Sequence, residues 1–513
     1  MKFRSSQSVS ILAGVVAAWV LITPVNLSAE ERVFDVVAPF EIGGLDPAIS
    51  GFVFQRMQIT ETLLEADAKG NPIPALAEKW GVSEDGKQWT FKIRQGVKFH
   101  NGSKLTADAV AHSLNVARNK TGMLRNAKID SITVLGDDVV IKLAEAFKPL
   151  GALLAHSSTN ILAPEAYDAK GNVQKIIGTG PYELTLLEPP QRLAAKRFEG
   201  YWGVKPSIEK TTYLGAGRGE TRSLMAESGG AELVFQLDPP SVARLKRSKD
   251  TQVLIGAVPR VVVLAANSGS GSTAPVEVRR AISLAIQREG IAAAILRAPG
   301  TGATQMFADN VAAWHDPRIS PLTYDPQASR ALLKAQGWVL GADGILEKDG
   351  RPLRLKLITY SDRPELPLIA TALQAQLREV GVDVEVSIEN ASAIPAAHND
   401  GTLQLALYGR NYALVPDPLV TLMADFKNGG AEWGPLGWSN PDFDPLISEL
   451  LASNDSTEQQ ELRNKIVGLI QNDLPLIPVT WYRQSIAVSN SVRGAAIDPF
   501  ERTFGLSTMK WAE

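Results

Sequence analysis

The chain of 513 residues carries 52 Lys and Arg against 55 Asp and Glu, and this formal net charge of −3 argues against nucleic acid or an anionic membrane surface as a partner. The sequence contains no cysteine, which excludes disulfides, thiolate metal sites and a cysteine nucleophile. Because the length exceeds what one hydrophobic core supports, we expect two or three domains.

The N-terminal residues have the pattern of a secretory signal. Lys2 and Arg4 precede an apolar run over residues 11–22, which suits a signal peptide but is shorter than the roughly 20 residues of a membrane span. The small residues that end at Ala29 predict a cleavage site, so we expect residues 1–29 to be removed. An uncleaved anchor is the alternative that the short run disfavours. Without a cysteine, we expect no lipid tether either.

Residues 76–114 predict two strands and a helix in succession, with Val97 to Phe99 as the short second strand before the Asn101-Gly102 turn. Trp89, Phe91 and Ile93 alternate with polar residues, which is the period of a half-buried strand. Thr106 has the side chain of a helix N-cap, and apolar residues follow it at helical spacing.

The second half of the chain predicts alternating helices and strands. Asp325 directly precedes Pro326 and is predicted to be the N-cap of a helix. Residues 353–357 and 382–388 alternate as strands on either side of a helical pattern at 366–380, a spacing typical of a right-handed crossover in a mainly parallel sheet. The Gly- and Ser-rich residues 267–273 lie between the halves, as a hinge or as a surface loop.

Sequence motifs for catalysis or cofactor binding are incomplete. Gly81 to Lys87 has the glycine spacing of a phosphate-binding loop, but Gln88 stands where Ser or Thr would hold magnesium. Gly217 is not followed by the third glycine of a dinucleotide-binding fingerprint, and no two of the five histidines are four residues apart. We therefore expect a protein that is not an enzyme and that has no cofactor and no metal site of its own.

Several motifs together resemble those of one protein family. The matching residues are Leu76, Ala77, Trp80, Ser83, Asp85, Gly86, Trp89, Phe91, Arg94, Val97, Lys98, Phe99, His100 and Gly102, then Gly178 to Tyr182, Tyr201 to Gly203, Tyr324 to Pro326 and Asp417-Pro418. This pattern resembles the signature of the bacterial extracellular solute-binding proteins of family 5, the peptide, nickel and opine binders of ABC importers. The resemblance covers nearly all of the chain after the signal peptide.

The resemblance implies an α/β fold of the periplasmic binding protein type II class. Two lobes with mixed sheets would enclose a ligand cleft, and an extra N-terminal subdomain would span about residues 51–164. The first lobe would comprise residues 30–260 plus 481–513, and the second lobe residues 261–480. The location implied is the periplasm.

The resemblance also implies which residues face the ligand. The segment around Tyr412 would contribute from the second lobe, where Asp417 is the residue most expected to cap a helix. Phe54 and Met123 are equally suited to a hydrophobic core. The full set of candidates is Phe54, Met123, Arg125, Ser157, Asn160, Arg410, Asn411, Tyr412 and Asp417.

The ligand that the resemblance implies is a peptide or peptide-like solute first, nickel or another metal chelate second, and an opine-type conjugate third. Relatives that bind an anionic chelate carry an arginine where Ser157 or Asn160 stands here, and peptide binders place an aspartate where Leu414 stands. A periplasmic enzyme or chaperone on the same fold is a remote alternative. The expected partners of this monomer are an inner-membrane ABC permease and its ATPase subunits, and no nucleic acid.

Overall fold

The computed structural model describes residues 32–426, 431 and 433–513. The signal peptide expected at residues 1–29 lies outside this part of the chain. Residues Val33–Glu513 form one unit. Among the described residues, no helix combines the length and the apolarity that a membrane span needs.

The described residues form strands and helices in an α/β order. The strands are β1 (Val33–Ala38), β2 (Leu64–Ala66), β3 (Pro72–Pro74), β4 (Ala77–Val82), β5 (Gln88–Ile93), β6 (Ile129–Leu135), β7 (Asp138–Leu143), β8 (Tyr182–Glu188), β9 (Arg192–Arg197), β10 (Lys210–Gly215), β11 (Leu233–Phe235), β12 (Thr251–Ala266), β13 (Val339–Leu340), β14 (Leu346–Lys348), β15 (Arg351–Pro352), β16 (Arg354–Tyr360), β17 (Asp383–Glu389), β18 (Leu405–Asn411), β19 (Leu476–Ser489), β20 (Val492–Arg493) and β21 (Lys510–Trp511). The helices are α1 (Pro47–Ser50), α2 (Phe52–Arg56), α3 (Ala107–Arg118), α4 (Leu150–Leu153), α5 (Gly219–Glu227), α6 (Pro239–Leu245), α7 (Val276–Leu284), α8 (Arg288–Gly290), α9 (Pro326–Ala335), α10 (Glu365–Glu379), α11 (Ala393–Asn399), α12 (Pro418–Asp425), α13 (Phe443–Ala452) and α14 (Ser456–Asp473).

One mixed sheet runs through the molecule, in the order β17-β16-β18-β12-β19-β11-β1-β10-β9-β8. At its centre the 16-residue β12 pairs with the 14-residue β19 in antiparallel fashion. β1 lies parallel to both β10 and β11 on one side, and β16 lies parallel to β17 and β18 on the other. The expected mixed α/β architecture is confirmed.

Two large hydrophobic cores flank the central strands. The first core is built from residues 34–235 with contributions from residues 486–509, and the second from residues 261–479. Val415 and Val420 belong to the first core although their neighbours in the chain pack in the second. The lobe boundaries expected from the sequence follow a similar division and stay a prediction.

The N-terminal part of the first core confirms the first strand and the helix predicted within residues 76–114. The second predicted strand, Val97 to Phe99, is wrong, because this segment makes only an isolated bridge between Lys98 and Lys104. β4, β5, β7 and β6 form a four-stranded antiparallel sheet, and β5 buries Trp89, Phe91 and Ile93 as the alternation predicts. The side chain of Thr106 accepts a 3.2 Å hydrogen bond from the amide of Ala109 and caps α3.

The α/β pattern of the second half is confirmed as well. β16 and β17 lie parallel on either side of α10 along the chain. Asp325 caps α9 by accepting bonds from the amides of Gln327 and Ala328. Residues 267–273 form a loop directly after β12, where the side chain of Asn267 accepts bonds from two loop amides.

The glycine and aromatic motifs of the sequence meet at one carboxylate, that of Glu61. It accepts hydrogen bonds from the Thr179 hydroxyl (2.7 Å), the Trp202 indole (3.0 Å) and the Tyr201 hydroxyl (3.1 Å). His100 bonds the carbonyl of Gly180 through its Nε2 at 3.0 Å. The motif residues therefore hold the first core together rather than contact a ligand.

Burial raises the pKa of Glu61 to about 7, although the bonds from Trp202, Thr179 and Tyr201 oppose the shift. In the unfolded chain the pKa of this carboxyl is near 4.5. The fold therefore favours the protonated form of Glu61, and the stability that this preference adds is complete below pH 4.5 and is lost as the pH rises through 7. We expect the wild type to lose about 1–3 kcal/mol of unfolding free energy between pH 4.5 and pH 8 relative to Glu61→Gln. Urea denaturation at both pH values measures this difference, with the exposed Glu145→Gln as the control. A difference that does not change with pH would contradict the raised pKa.

Candidate ligand-binding site

A cavity of about 310 Å³ lies where residues from both halves of the chain meet the central strand β12. Phe40 and Phe52 line it from the first core, Arg363 and Leu414 from the second half, and Arg260 from β12. Phe40 follows the carboxyl end of β1, and Arg363 follows the carboxyl end of β16. Loops at the carboxyl ends of parallel strands are where open α/β sheets bind ligands.

Glu501 is the acidic group of this cavity, and it is fully engaged with basic and amide groups. Its carboxylate accepts hydrogen bonds of 2.5 Å from both Arg260 and Asn411, and its backbone carbonyl accepts one of 2.7 Å from Arg56. Burial alone would raise the pKa of Glu501, but Arg260, Arg56 and Arg363 outweigh burial and hold the pKa below its usual value. The residue has a φ of +57°, a left-handed conformation that is costly outside glycine.

Three arginines surround Glu501 and keep donors without a protein partner. Within the part of the chain that the structure describes, the Nη1 atoms of Arg56, Arg260 and Arg363 are buried and have no hydrogen-bond partner. Buried donors are nearly always paired, so three unpaired ones at one place favour a water, an ion or a ligand as their partner. Burial lowers the pKa of Arg56, and both neighbouring arginines lower it further against the opposing effect of Glu501.

Aromatic rings hold these guanidinium groups in place. The Arg56 guanidinium carbon lies 4.1 Å from the ring centre of Phe40 and 5.4 Å from that of Phe52. Tyr482 lies beside the other two arginines, 4.8 Å from Arg260 and 5.8 Å from Arg363. Stacking on an aromatic face suits the planar guanidinium and leaves its edge free for hydrogen bonds.

The cavity wall carries more positive than negative charge. A fourth lining arginine, Arg502, forms an ion pair of 3.1 Å with Glu65. Among the lining residues, Glu501 is the single carboxylate that can balance the charge of the other three guanidinium groups. His156 adds no charge at neutral pH, because burial, and then the charge of Arg56, lowers its pKa to about 4. The arrangement can hold the negative groups of a ligand.

Two of the residues predicted from the sequence are part of this cavity or support it. Ser157 lines it, one residue after His156. Asn411 contributes indirectly through its side chain. Its Nδ2 donates a hydrogen bond to the carboxylate of Glu501, and its Oδ1 accepts one of 2.9 Å from the backbone amide of Ala413.

The structure places the other candidates of the first lobe away from the cavity. Phe54 is fully buried in the first core, and Met123 packs against that core. Arg125 is exposed. Asn160 is buried and donates a 3.2 Å bond to the carbonyl of Gly51.

The remaining candidates of the second lobe also have structural contacts. Arg410 forms two bonds of 2.6 Å with Asp425, which neutralises its charge. Tyr412 is buried against Phe307. Asp417 caps α12 by accepting the amide of Leu419 at 2.9 Å, as its sequence position favoured. It also lines a larger cavity of about 660 Å³.

The sequence prediction missed Arg56, Arg260, Arg363 and Glu501. One signal was available, because Arg260 stands directly before the apolar run that ends at Ala266, and a charged residue in a buried strand is unusual. A second signal is the position of Arg363 in the loop after a parallel strand. Across the described residues, no group of three or more His, Asp or Glu could hold a bare metal ion.

Replacement of Glu501 tests whether it balances the buried arginines. We expect Glu501→Gln to lower the unfolding free energy by about 2–4 kcal/mol, because buried positive charges lose their compensating carboxylate. Glu183→Gln, which removes the partly exposed pair with Lys196, is the control and is expected to change the unfolding free energy by at most about 1 kcal/mol. Denaturant titration at pH 7 compares the two variants. Equal effects would show that Glu501 does not hold the cluster.

Comparison with known proteins places the chain in a family. The model of the bacterial extracellular solute-binding proteins, family 5, matches residues 71–433. The nickel-binding periplasmic protein of Escherichia coli K12 is 29% identical over 466 residues, which cover 86% of this chain and 88% of that protein. The dipeptide-binding protein of the same organism is 26% identical over 461 residues, 83% of this chain and 84% of that protein.

A solved structure shows the same fold. NikA from Brucella suis in complex with Fe(III)-EDTA superposes with a TM-score of 0.85 and 27% sequence identity, covering 94% of this chain and all of that one. The relatives include periplasmic binders of nickel and of dipeptides, and the family consists of solute-binding proteins. The match over residues 71–433 and the shared fold together show that this chain belongs to the bacterial extracellular solute-binding proteins of family 5.

Proposed function

We propose that this protein is the periplasmic solute-binding subunit of an ABC importer and binds its solute in the cavity around Glu501. The observation that carries the proposal is that the wall of one cavity is built from residues packed on the first core, from loop residues of the second half of the chain and from the central strand β12. A site of this kind forms only when the two halves of the chain come together, and such closure is how a ligand is captured between domains.

Contacts across the cleft support a closed arrangement of the cores. Lys148 of the first half donates to the carbonyls of Ala452 (3.4 Å) and Ser453 at the carboxyl end of α13. A lysine suits that position because the last carbonyls of a helix lack partners within it. Gly70 lies so near the carbonyl of Pro416 that a Cβ atom there would be 2.6 Å from the oxygen.

The charge of the cavity bears on the choice among peptide, metal chelate and opine-type conjugate. The arginine expected in chelate binders is absent from the position of Ser157, but Arg56, Arg260 and Arg363 supply guanidinium groups from other segments. Leu414 lines the cavity where peptide binders place an aspartate for the peptide ammonium group. An anionic solute, which includes metal chelates and opines, therefore fits this wall better than a neutral peptide. The partners would be a membrane permease and its ATPase, with the binding protein acting as a monomer.

A thermal-shift screen tests whether the protein binds a small solute. The compounds are di- to pentapeptides, nickel–histidine complexes and opines, with mass spectrometry of small molecules released from protein purified without denaturation. We expect at least one compound to raise the melting midpoint, because a ligand present at 100 times its Kd stabilises the native state by about 2.7 kcal/mol. The proposal fails if no compound shifts the midpoint and the purified protein releases no small molecule.

Lys148 provides a test of closure that is separate from the site itself. We expect Lys148→Ala to raise the Kd for the best compound of the screen about fivefold, since the closed arrangement loses one charged hydrogen bond. Isothermal titration calorimetry measures the change. Lys128→Ala removes an exposed pair with Glu145 and serves as the control. Equal Kd values for Lys148→Ala and the wild type would argue against a role in closure.

A further inference from the structure

We infer that the solute carries at least two negatively charged groups, carboxylate or phosphate, and that these bind the guanidinium groups of Arg56, Arg260 and Arg363. The inference rests on the proposed function and names the class of solute. It starts from three arginines that line one cavity and that each keep a buried Nη1 atom without a hydrogen-bond partner among the described residues.

The number of charges follows from the groups that face the cavity. Glu501 is the carboxylate among the lining residues, and it already accepts bonds from Arg260 and Asn411. Three guanidinium charges against one carboxylate leave an excess of two. Guanidinium groups do not lose their protons at neutral pH, so this excess at the cavity wall favours an anionic ligand or a bound anion.

The other charged groups nearby do not remove the excess. Arg502 is engaged by Glu65 and by the backbone carbonyl of Ala66. Arg222, a fifth buried arginine, donates to four backbone carbonyls. Burial lowers the pKa of Arg363, and Tyr360, Tyr482, Glu365 and Glu501 together raise it. Glu365 lines a separate cavity, where its Oε1 has no hydrogen-bond partner among the described residues, so its carboxylate is not part of the cavity wall.

The arginines come from three separate segments, which gives the site its selectivity. Arg56 is at the end of α2, Arg260 is in β12, and Arg363 is in the loop after β16. A solute with one acidic group satisfies part of this set, whereas a solute with two or more can bridge segments on both sides of the cleft. Phe40 and Phe52 offer an apolar surface to its carbon skeleton. A volume of about 310 Å³ restricts the solute to a compact one.

The first experiment measures binding of matched compounds that differ only in charge. Calorimetry compares glutarate with glutaramide, citrate with its triamide, and glycerol phosphate with glycerol, and Fe(III)-EDTA is added as a chelate that bears carboxylates. We expect the dianions to bind and their uncharged partners not to bind. If the carboxylate compounds have the lower Kd, the negative groups of the solute are carboxylates, and if glycerol phosphate has the lower Kd, they are phosphates. The inference is overturned if no dianion binds, or if the uncharged partners bind as tightly.

The second experiment separates a binding role from a structural one. We expect Arg363→Gln to raise the Kd for the best dianion about 10- to 100-fold. Among the described residues this arginine forms no ion pair, although Glu365 and Glu501 favour its charge, so its unliganded melting midpoint is expected to fall less than that of Glu501→Gln. Arg363→Lys is expected to restore part of the affinity, and the exposed Arg192→Gln is the control. A midpoint that falls as far as that of Glu501→Gln would show a structural role and overturn the inference.

Failure of this inference is distinguishable from failure of the proposed function. If neutral peptides bind and dianions do not, the protein is still a solute-binding subunit and only the assignment of the solute class is wrong. If a dianion binds and Arg363→Gln abolishes that binding while the fold is kept, both statements are supported.

Discussion

The antiparallel pairing of β12 with β19 is the constraint on which the rest of the structure depends. These two strands run past both cores, and every other strand of the central sheet lies on one side of them or the other. Their pairing is regular up to Ala257 and Arg483 and resumes at Val261 and Trp481. In between, Pro259 cannot donate to the ladder, and Arg260 comes to lie against Tyr482. The irregularity thus places a charged residue in the middle of a buried sheet, which is where bulges serve binding sites.

The arginine cluster shows a balance between stability and binding. Guanidinium groups that lack partners inside a protein oppose folding, and the left-handed backbone of Glu501 adds further strain. The surrounding structure compensates through the aromatic rings of Phe40 and Tyr482 and through the bonds to Glu501. Features that weaken a fold persist where they serve function, and here they converge on a single cavity.

Local sequence patterns predicted the elements but not the site. The alternation around Phe91, the caps at Thr106 and Asp325, and the strand–helix–strand pattern after residue 353 depend on neighbours within a few residues. For that reason they can be read from one sequence. The family resemblance extended this reading to the mixed α/β architecture.

The site depends on contacts between distant residues, which no local pattern reveals. Arg260 and Glu501 are 241 residues apart in sequence and share a hydrogen bond of 2.5 Å. Arg410 is the converse case. The sequence prediction made it a ligand-binding residue, but in the structure its guanidinium group is paired with the carboxylate of Asp425. Whether an arginine is free or paired is decided by the tertiary fold, and the sequence carries only the weak signal of a charge beside an apolar strand.

The repulsion that Arg260 and Arg363 exert on Arg56 has a consequence for energy use in transport. In a receptor that closes on an anionic solute, this repulsion would oppose the closed form until the solute adds negative charge to that of Glu501. The empty protein then populates the closed form less than the loaded protein does. The shift in the equilibrium between the open and closed forms is set by how much more tightly the solute binds the closed form. A permease that responds to closed receptors would therefore encounter mostly loaded ones. Little ATP would be hydrolysed without cargo, so the charge that binds the solute would also keep the transport cycle coupled to it.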